Sequence, residues 1–175
     1  MFATIAPTAA ERTTLVAGDD LVPHPDVVMD RAFTVPAPPE VVWPWIVQLG
    51  KSRAGWYLPR TVERLLPPRG RALRHLDPTW QALAVGDVIP DWGGRDATFE
   101  VSLLHAPTTL VHTSTRGRTH LSWAIILTPH GDGTRVHLRL RLAPVRRPRL
   151  MGTLGGFFDL VTVAGLAAGL RERVG

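Results

Sequence analysis

The segment APPEVVWPWIVQLG, residues 37–50, carries the clearest structural signal in the chain. It follows the run DRAFTV, whose alternation is typical of a strand. Proline suits the first turn of a helix, where amides lack partners, and Glu40 suits the helix dipole there. Apolar residues recur at helical spacing on one face, at Val42, Trp45, Ile46 and Leu49. We therefore predict a helix that ends at Gly50 and is bent at Pro44.

The chain beyond this helix is rich in alternating patterns. A second short helix is predicted at residues 59–66, followed by a loop. In RVHLRLRLA, residues 135–143, apolar and polar residues alternate, which predicts one buried sheet face and one face in water. Two other strands are predicted to present a single apolar face, one through Leu121, Trp123, Ile125 and Leu127 and one through Phe99, Val101, Leu103 and His105.

The last long apolar stretch, LMGTLGGFFDLVTVAGLAAGL, occupies residues 150–170. Its length would allow a bilayer span, and its Gly165-x-x-x-Gly169 step can pack membrane helices. However, Asp159 lies near its middle and five glycines dilute its hydrophobicity. We predict a helix of a soluble protein, buried on one side against the sheet. Membrane attachment through this stretch is the alternative.

Composition limits the classes of function. The 175 residues suggest a single domain at 30–175, preceded by an N-terminal arm at 1–29 that is loosely ordered or packed on the domain. The absence of cysteine excludes disulfides and thiolate metal sites and suits a cytoplasmic protein. The net charge of +5 comes without a compact basic stripe, so no nucleic-acid partner is expected. The scattered histidines predict no metal site.

Several strings resemble the SRPBCC superfamily, also called START-like or helix-grip, and in particular its small bacterial polyketide cyclase/dehydrase-like members. They span about residues 18 to 173 and read GDDLVPHPDVV, RAFTVPAPPEVVWPWIVQLG, RAGWY, WQALAVGD, SWAIILTP, GDGTRVHLRLR and FDLVTVAGLAAGLRER. The resemblance implies an α+β helix-grip fold, with two short helices after the first strand and a curved antiparallel sheet wrapped around the long C-terminal helix. One departure is that Pro59 and Arg60 stand where that group usually has tyrosine and aspartate.

The resemblance also implies a deep cavity for a hydrophobic or aromatic small molecule, with the Trp56–Tyr57 loop near its mouth. Aromatic rings supply flat apolar walls. The candidate ligand-binding residues are Trp45, Trp56, Tyr57, Trp92, Phe99, Trp123 and Phe158. For Trp45, Trp56, Tyr57 and Trp123, plain core packing is the alternative.

Three polar residues are candidates for catalysis. The Tyr57 hydroxyl could polarise a carbonyl, His112 could act as a general base near neutral pH, and Asp91 is a third candidate in a glycine-bearing loop. Together with these groups, the resemblance implies a cofactor-independent cyclase or dehydratase that folds its substrate and moves a proton. A carrier or sensor of a hydrophobic ligand is the alternative. A monomer or a homodimer is expected.

Overall fold

The computed structural model describes residues 5–175, which form one curved antiparallel sheet of six strands with a long helix packed against it. The strands are β1 (Val27–Val35), β2 (Val88–Pro90), β3 (Thr98–His105), β4 (Thr109–Arg116), β5 (Thr119–His130) and β6 (Gly133–Ala143). Their order across the sheet is β1-β6-β5-β4-β3-β2, so the first strand of the chain pairs with the last. The predicted α+β helix-grip fold is confirmed.

One helix precedes β1, two lie between β1 and β2, and the last two follow β6. They are α1 (Ala9–Thr13), α2 (Pro39–Gln48), α3 (Arg60–Glu63), α4 (Pro148–Leu150) and α5 (Gly156–Val174). A π-helical segment, Met151–Gly155, joins α4 to α5, and together they form the long helix, Pro148–Val174. α3 is shorter than predicted. Leu65, just beyond it, is 85% exposed, so the predicted second turn has little surface to pack against.

The second half of α5 belongs to the core. Val163, Leu166 and Leu170 are buried together with α2 and the inner face of the sheet. A side chain at Gly169 would collide with the neighbouring loop, because its Cβ would lie 2.6 Å from the backbone nitrogen of Leu58. The glycine step that resembled a membrane motif therefore lets a loop approach the helix within this domain.

The outer face of β6 does not meet water as predicted, because the arm formed by residues 5–26 covers it. Arg139 is only 4% exposed. Its guanidinium donates to three backbone carbonyls of the arm, those of Glu11, Arg12 and Thr14. It also pairs with the carboxylates of Asp19 at 2.8 Å and Asp30 at 2.9 Å. Alternation correctly gives the direction of this side chain but not the segment that covers it.

The prediction that Phe99, Val101, Leu103 and His105 share one face of β3 is wrong beyond Val101. A register shift between Val101 and Leu103 marks a β-bulge. Such an extra residue reverses the alternation that follows. As a result Leu104 packs against the core, and His105 is exposed at the strand end.

Candidate functional site

Five rings from separate parts of the chain meet on the inner face of the sheet, and we call them the aromatic cluster: Trp56, Trp92, Phe99, His112 and Trp123. The rings of Trp56 and Trp123 are stacked with centroids 6.2 Å apart, and His112 stacks on Trp123 at 5.3 Å. Phe99 lies 5.8 Å from His112 and 5.6 Å from Trp123. All five were candidates from the sequence, and the fold brings them together.

Strand pairing explains how three of these rings meet. Val101 of β3 pairs with His112 of β4, which pairs with Trp123 of β5. Directly opposite residues share a face of the sheet, and Phe99 shares the face of Val101 two residues away. The inward positions of β3, β4 and β5 therefore form a continuous aromatic wall.

Trp56 joins this wall to the long helix. It follows Gly55, whose φ of 84° is a left-handed conformation that favours glycine. Its indole Nε1 donates to the carbonyl of Thr162 at 3.0 Å. Trp92 packs edge-on against it at 5.9 Å and is 51% exposed. Trp56 and Trp92 thus lie where the cluster opens to solvent.

His112 is the most deeply buried polar side chain of the cluster, at 4% exposed. Its Nδ1 has no hydrogen-bond partner among residues 5–175. Burial lowers the pKa of His112 to about 4, because the charged form loses its hydration. The ring is therefore neutral at pH 7. A base of this strength accepts a proton poorly near neutral pH, so the geometry fits hydrogen bonding better than the predicted general-base role.

We expect this histidine to make the protein less stable in acid. In the unfolded chain His112 binds a proton below about pH 6.5. In the folded chain it stays unprotonated until the pH falls to about 4. The free energy of unfolding should therefore fall by up to about 3 kcal/mol as the pH drops through this window. Urea unfolding across the window should show a smaller fall for His112→Phe.

The control for this experiment is His105→Phe, on an exposed side chain of the adjacent strand. It should keep the parent's pH dependence. If His112→Phe also kept it, burial of a neutral imidazole would not be the source of the acid sensitivity.

Tyr57 and Trp45 lie apart from the cluster, in the core. Tyr57 is fully buried, and its hydroxyl donates to the carbonyl of Trp45 at 2.9 Å. Burial raises the pKa of Tyr57. The two rings meet edge to face at 5.7 Å, and the Arg173 guanidinium lies 4.5 Å from the tyrosine ring centre. The Tyr57 hydroxyl is therefore engaged within the core, and its expected role toward a ligand stays a prediction.

Asp91 lies at the rim of the cluster with its carboxylate engaged. It forms an ion pair with Arg116 and also accepts from the backbone N–H of Gly93. The Arg116 guanidinium lies 5.3 Å from the ring centre of Phe99. No local pattern marks Arg116 as a site residue, because its partner lies 25 residues away. The ion pair between Asp91 and Arg116 holds the loop that carries Asp91 beside the aromatic cluster.

A cleft of about 700 Å³ opens between the start of the long helix and the adjoining ends of β5 and β6. Its apolar lining includes Leu142, Val145, Leu150, Met151 and Leu154. None of the five rings of the aromatic cluster lines this cleft. Its nearest link to the cluster along the sheet is Leu142, two residues beyond Leu140, which pairs with Trp123.

Phe158 lies outside the aromatic cluster and is 70% exposed. It follows Leu154 by four residues and therefore lies on the same side of the long helix as that cleft residue. Asp159, the charge within the helix, pairs with Arg31 of β1 at 2.9 Å. The structure thus separates the two neighbours, with Phe158 beside the cleft and Asp159 turned toward the sheet.

Metal binding finds no support in the part of the chain that the structure describes, where no group of three or more histidine, aspartate or glutamate side chains is placed to hold an ion. Ion pairs engage several of the acidic groups, including Asp19, Asp30 and Glu63. What the site offers a small molecule is therefore aromatic surface and the imidazole of His112.

No family model matches the sequence, and no curated protein matches it either. Solved structures do resemble it. CalU16 from Micromonospora echinospora is 16% identical with a TM-score of 0.55, over 83% of this chain and 75% of its own. A protein from Rhodobacter sphaeroides is 16% identical with a TM-score of 0.55, over 84% of this chain and 91% of its own. A protein from Chromobacterium violaceum is 16% identical with a TM-score of 0.50, over 84% of this chain and 96% of its own.

These similarities concern the fold. They support the helix-grip fold that the sequence strings implied. At this identity they assign neither a ligand nor a reaction, because one fold serves many functions.

Proposed function

We propose that this protein binds a hydrophobic or aromatic small molecule against the aromatic cluster, between the sheet and the long helix. The observation that carries this proposal is the unpaired Nδ1 of His112, 4% exposed and surrounded by rings. An unpaired buried polar group costs on the order of 1–3 kcal/mol. A ligand with one hydrogen-bonding group among its rings would remove that cost.

The shape of the cluster favours a flat ligand. The rings of Trp56 and His112 lie 26° and 24° from the plane of Trp123, so the three rings are roughly parallel. Burying apolar area against such faces contributes about 25 cal/mol per Å². A neutral imidazole nitrogen either donates or accepts one hydrogen bond, according to its tautomer. The ligand class we propose is therefore a planar phenol or ketone.

Binding without catalysis is the function that the geometry supports best. Of the three predicted catalytic groups, the Tyr57 hydroxyl is bonded to a backbone carbonyl and the Asp91 carboxylate is paired with Arg116. A carrier or sensor needs neither group. The second candidate is a polyketide cyclase or dehydratase. One observation favours it, since a neutral histidine can polarise a carbonyl while the wall orients the substrate.

Native mass spectrometry of detergent-free protein, beside the denatured sample, tests for an occupied site. A small molecule that is lost on denaturation would support the proposal and identify the ligand class. Calorimetric titration with a panel of polycyclic phenols and ketones covers the case of a protein purified empty. If no bound mass is found and no compound of the panel binds, the proposal is wrong.

We expect Trp123→Ala to weaken binding of such a compound at least about tenfold, because Trp123 contacts three other rings of the cluster. Calorimetry measures the change. The matched control is Trp80→Ala, which removes an indole that packs on Arg53 outside the cluster. Equal losses in the two variants would place the binding site elsewhere.

Turnover separates the two candidate functions. In a cyclase or dehydratase, His112→Leu should abolish conversion of a compound that still binds. In a carrier, the parent protein and the His112→Leu variant should both release every bound compound unchanged, as measured by mass spectrometry.

A further inference from the structure

The first half of the long helix presents an exposed apolar surface. Its members, which we call the helix patch, are Leu150, Met151, Leu154, Phe157, Phe158, Leu160 and Val161. Three of them, Leu154, Phe157 and Phe158, are 66–70% exposed. Isolated exposed apolar residues are ordinary, but a contiguous group of this size marks an interaction surface.

The helix patch is too short to cross a bilayer. Among the described residues, one helix, Pro148–Val174, is long and apolar enough to do so by length and composition alone. However, its second half from Val163 onward is packed in the core. The exposed part, residues 150–161, rises only about 18 Å, whereas the hydrocarbon core is about 30 Å thick. A folded molecule can therefore lay this part along an interface but cannot span with it.

Positive charge borders the helix patch. Arg146, Arg147 and Arg149 lie immediately before it and are exposed. The turn that carries exposed Arg118 is held beside them, because Thr119 donates to the carbonyl of Pro144 at 2.8 Å. The one acidic residue in 145–161, Asp159, is neutralised by Arg31. The surface thus combines apolar side chains with uncompensated arginines.

An exposed indole lies at the far end of the same surface. Trp92 packs against Trp56, which is bonded to Thr162 one residue beyond the helix patch. Tryptophan is enriched at the boundary between water and lipid. Apolar side chains, an indole and bordering arginines match an interfacial helix that binds anionic lipid.

We propose that this protein binds peripherally to anionic membranes through the helix patch and the arginines at 146, 147 and 149. Charge complementarity selects this partner over a second copy of the chain, which carries the same net charge of +5. The inference needs no bound small molecule, although the helix patch shares Leu150, Met151 and Leu154 with the cleft, and Trp92 also belongs to the aromatic cluster.

Co-sedimentation of the full chain with vesicles tests this inference. We expect binding to vesicles of phosphatidylcholine with phosphatidylglycerol, at least tenfold stronger than to phosphatidylcholine alone, and weakened by salt. The triple variant R146Q/R147Q/R149Q should lose that preference. The double variant F157S/L160S should reduce binding to the mixed vesicles at least tenfold, and circular dichroism checks that both variants remain folded.

Exposed residues of the same type beyond α3 provide the controls. R64Q/R69Q and Leu65→Ser change exposed arginines and an exposed leucine away from the helix patch, and both should bind like the parent. Three results would each overturn the inference: no binding to anionic vesicles, equal losses in the control variants, or self-association without lipid that F157S/L160S abolishes. The last would assign the helix patch to a second copy of the chain.

Discussion

Replacing Gly169 by alanine should lower the free energy of unfolding by about 3 kcal/mol, because the added methyl group overpacks a backbone contact. A Cβ at this position would lie 2.6 Å from the carbonyl carbon of Tyr57 and 2.6 Å from the nitrogen of Leu58. These are main-chain atoms and cannot rotate away. Either the loop or the helix must move, and both belong to the core. Urea unfolding at pH 7 measures the effect.

Gly156→Ala is the matched control in the same helix. A Cβ there meets no heavy atom within 4 Å among the described residues. Since alanine favours helix over glycine, this variant should gain about 0.5–1 kcal/mol. If Gly169→Ala and Gly156→Ala changed the free energy of unfolding by the same amount, the close contact at Gly169 would not affect stability.

Arg139→Met should also cost about 3 kcal/mol, because it removes one partner from a buried charge network. Although burial raises it, hydrogen bonds from His137 and Arg139 hold the pKa of Asp30 below its usual range. Without the guanidinium, Asp30 and Asp19 lose a buried counter-ion and three carbonyls of the arm lose their donor. Chemical unfolding should show the loss of stability, and limited proteolysis should cut within residues 5–26.

Arg118→Met provides the comparison, since this arginine is exposed in the turn between β4 and β5. We expect it to leave both stability and the cleavage pattern within error of the parent. Should Arg139→Met behave in the same way, the arm would be held by its apolar contacts, such as buried Ile5, and not by the arginine.

The sequence predicted the architecture because strand alternation and helical spacing are local properties. The inward side chains of β5, Leu121, Trp123, Ile125 and Leu127, were predicted correctly on that basis. The bulge in β3 was not, because one extra residue leaves no mark in the periodicity. The burial of Arg139 depends on a segment about 120 residues earlier, which no local pattern reports.

The candidate site was predictable to a similar extent. His112 and Trp123 lie inward because alternation places them there. Tyr57 was chosen with Trp56 as its neighbour in the chain, yet the two side chains diverge, one to the core and one to the cluster. The pairing of Asp91 with Arg116 requires the folded sheet and could not be read from either residue. Ligand binding by the cluster remains a prediction.

The pairing of β1 with β6 has a consequence for synthesis. Phe33 pairs with Val136, and the arm bonds to the same late strand. The chain must therefore be made past residue 143 before β1 and the arm can reach their partner strand. Contacts of such large sequence separation slow folding. During translation the arm and β1 remain unpaired until β6 has been made. In this interval a chaperone would find the most unpaired chain to bind.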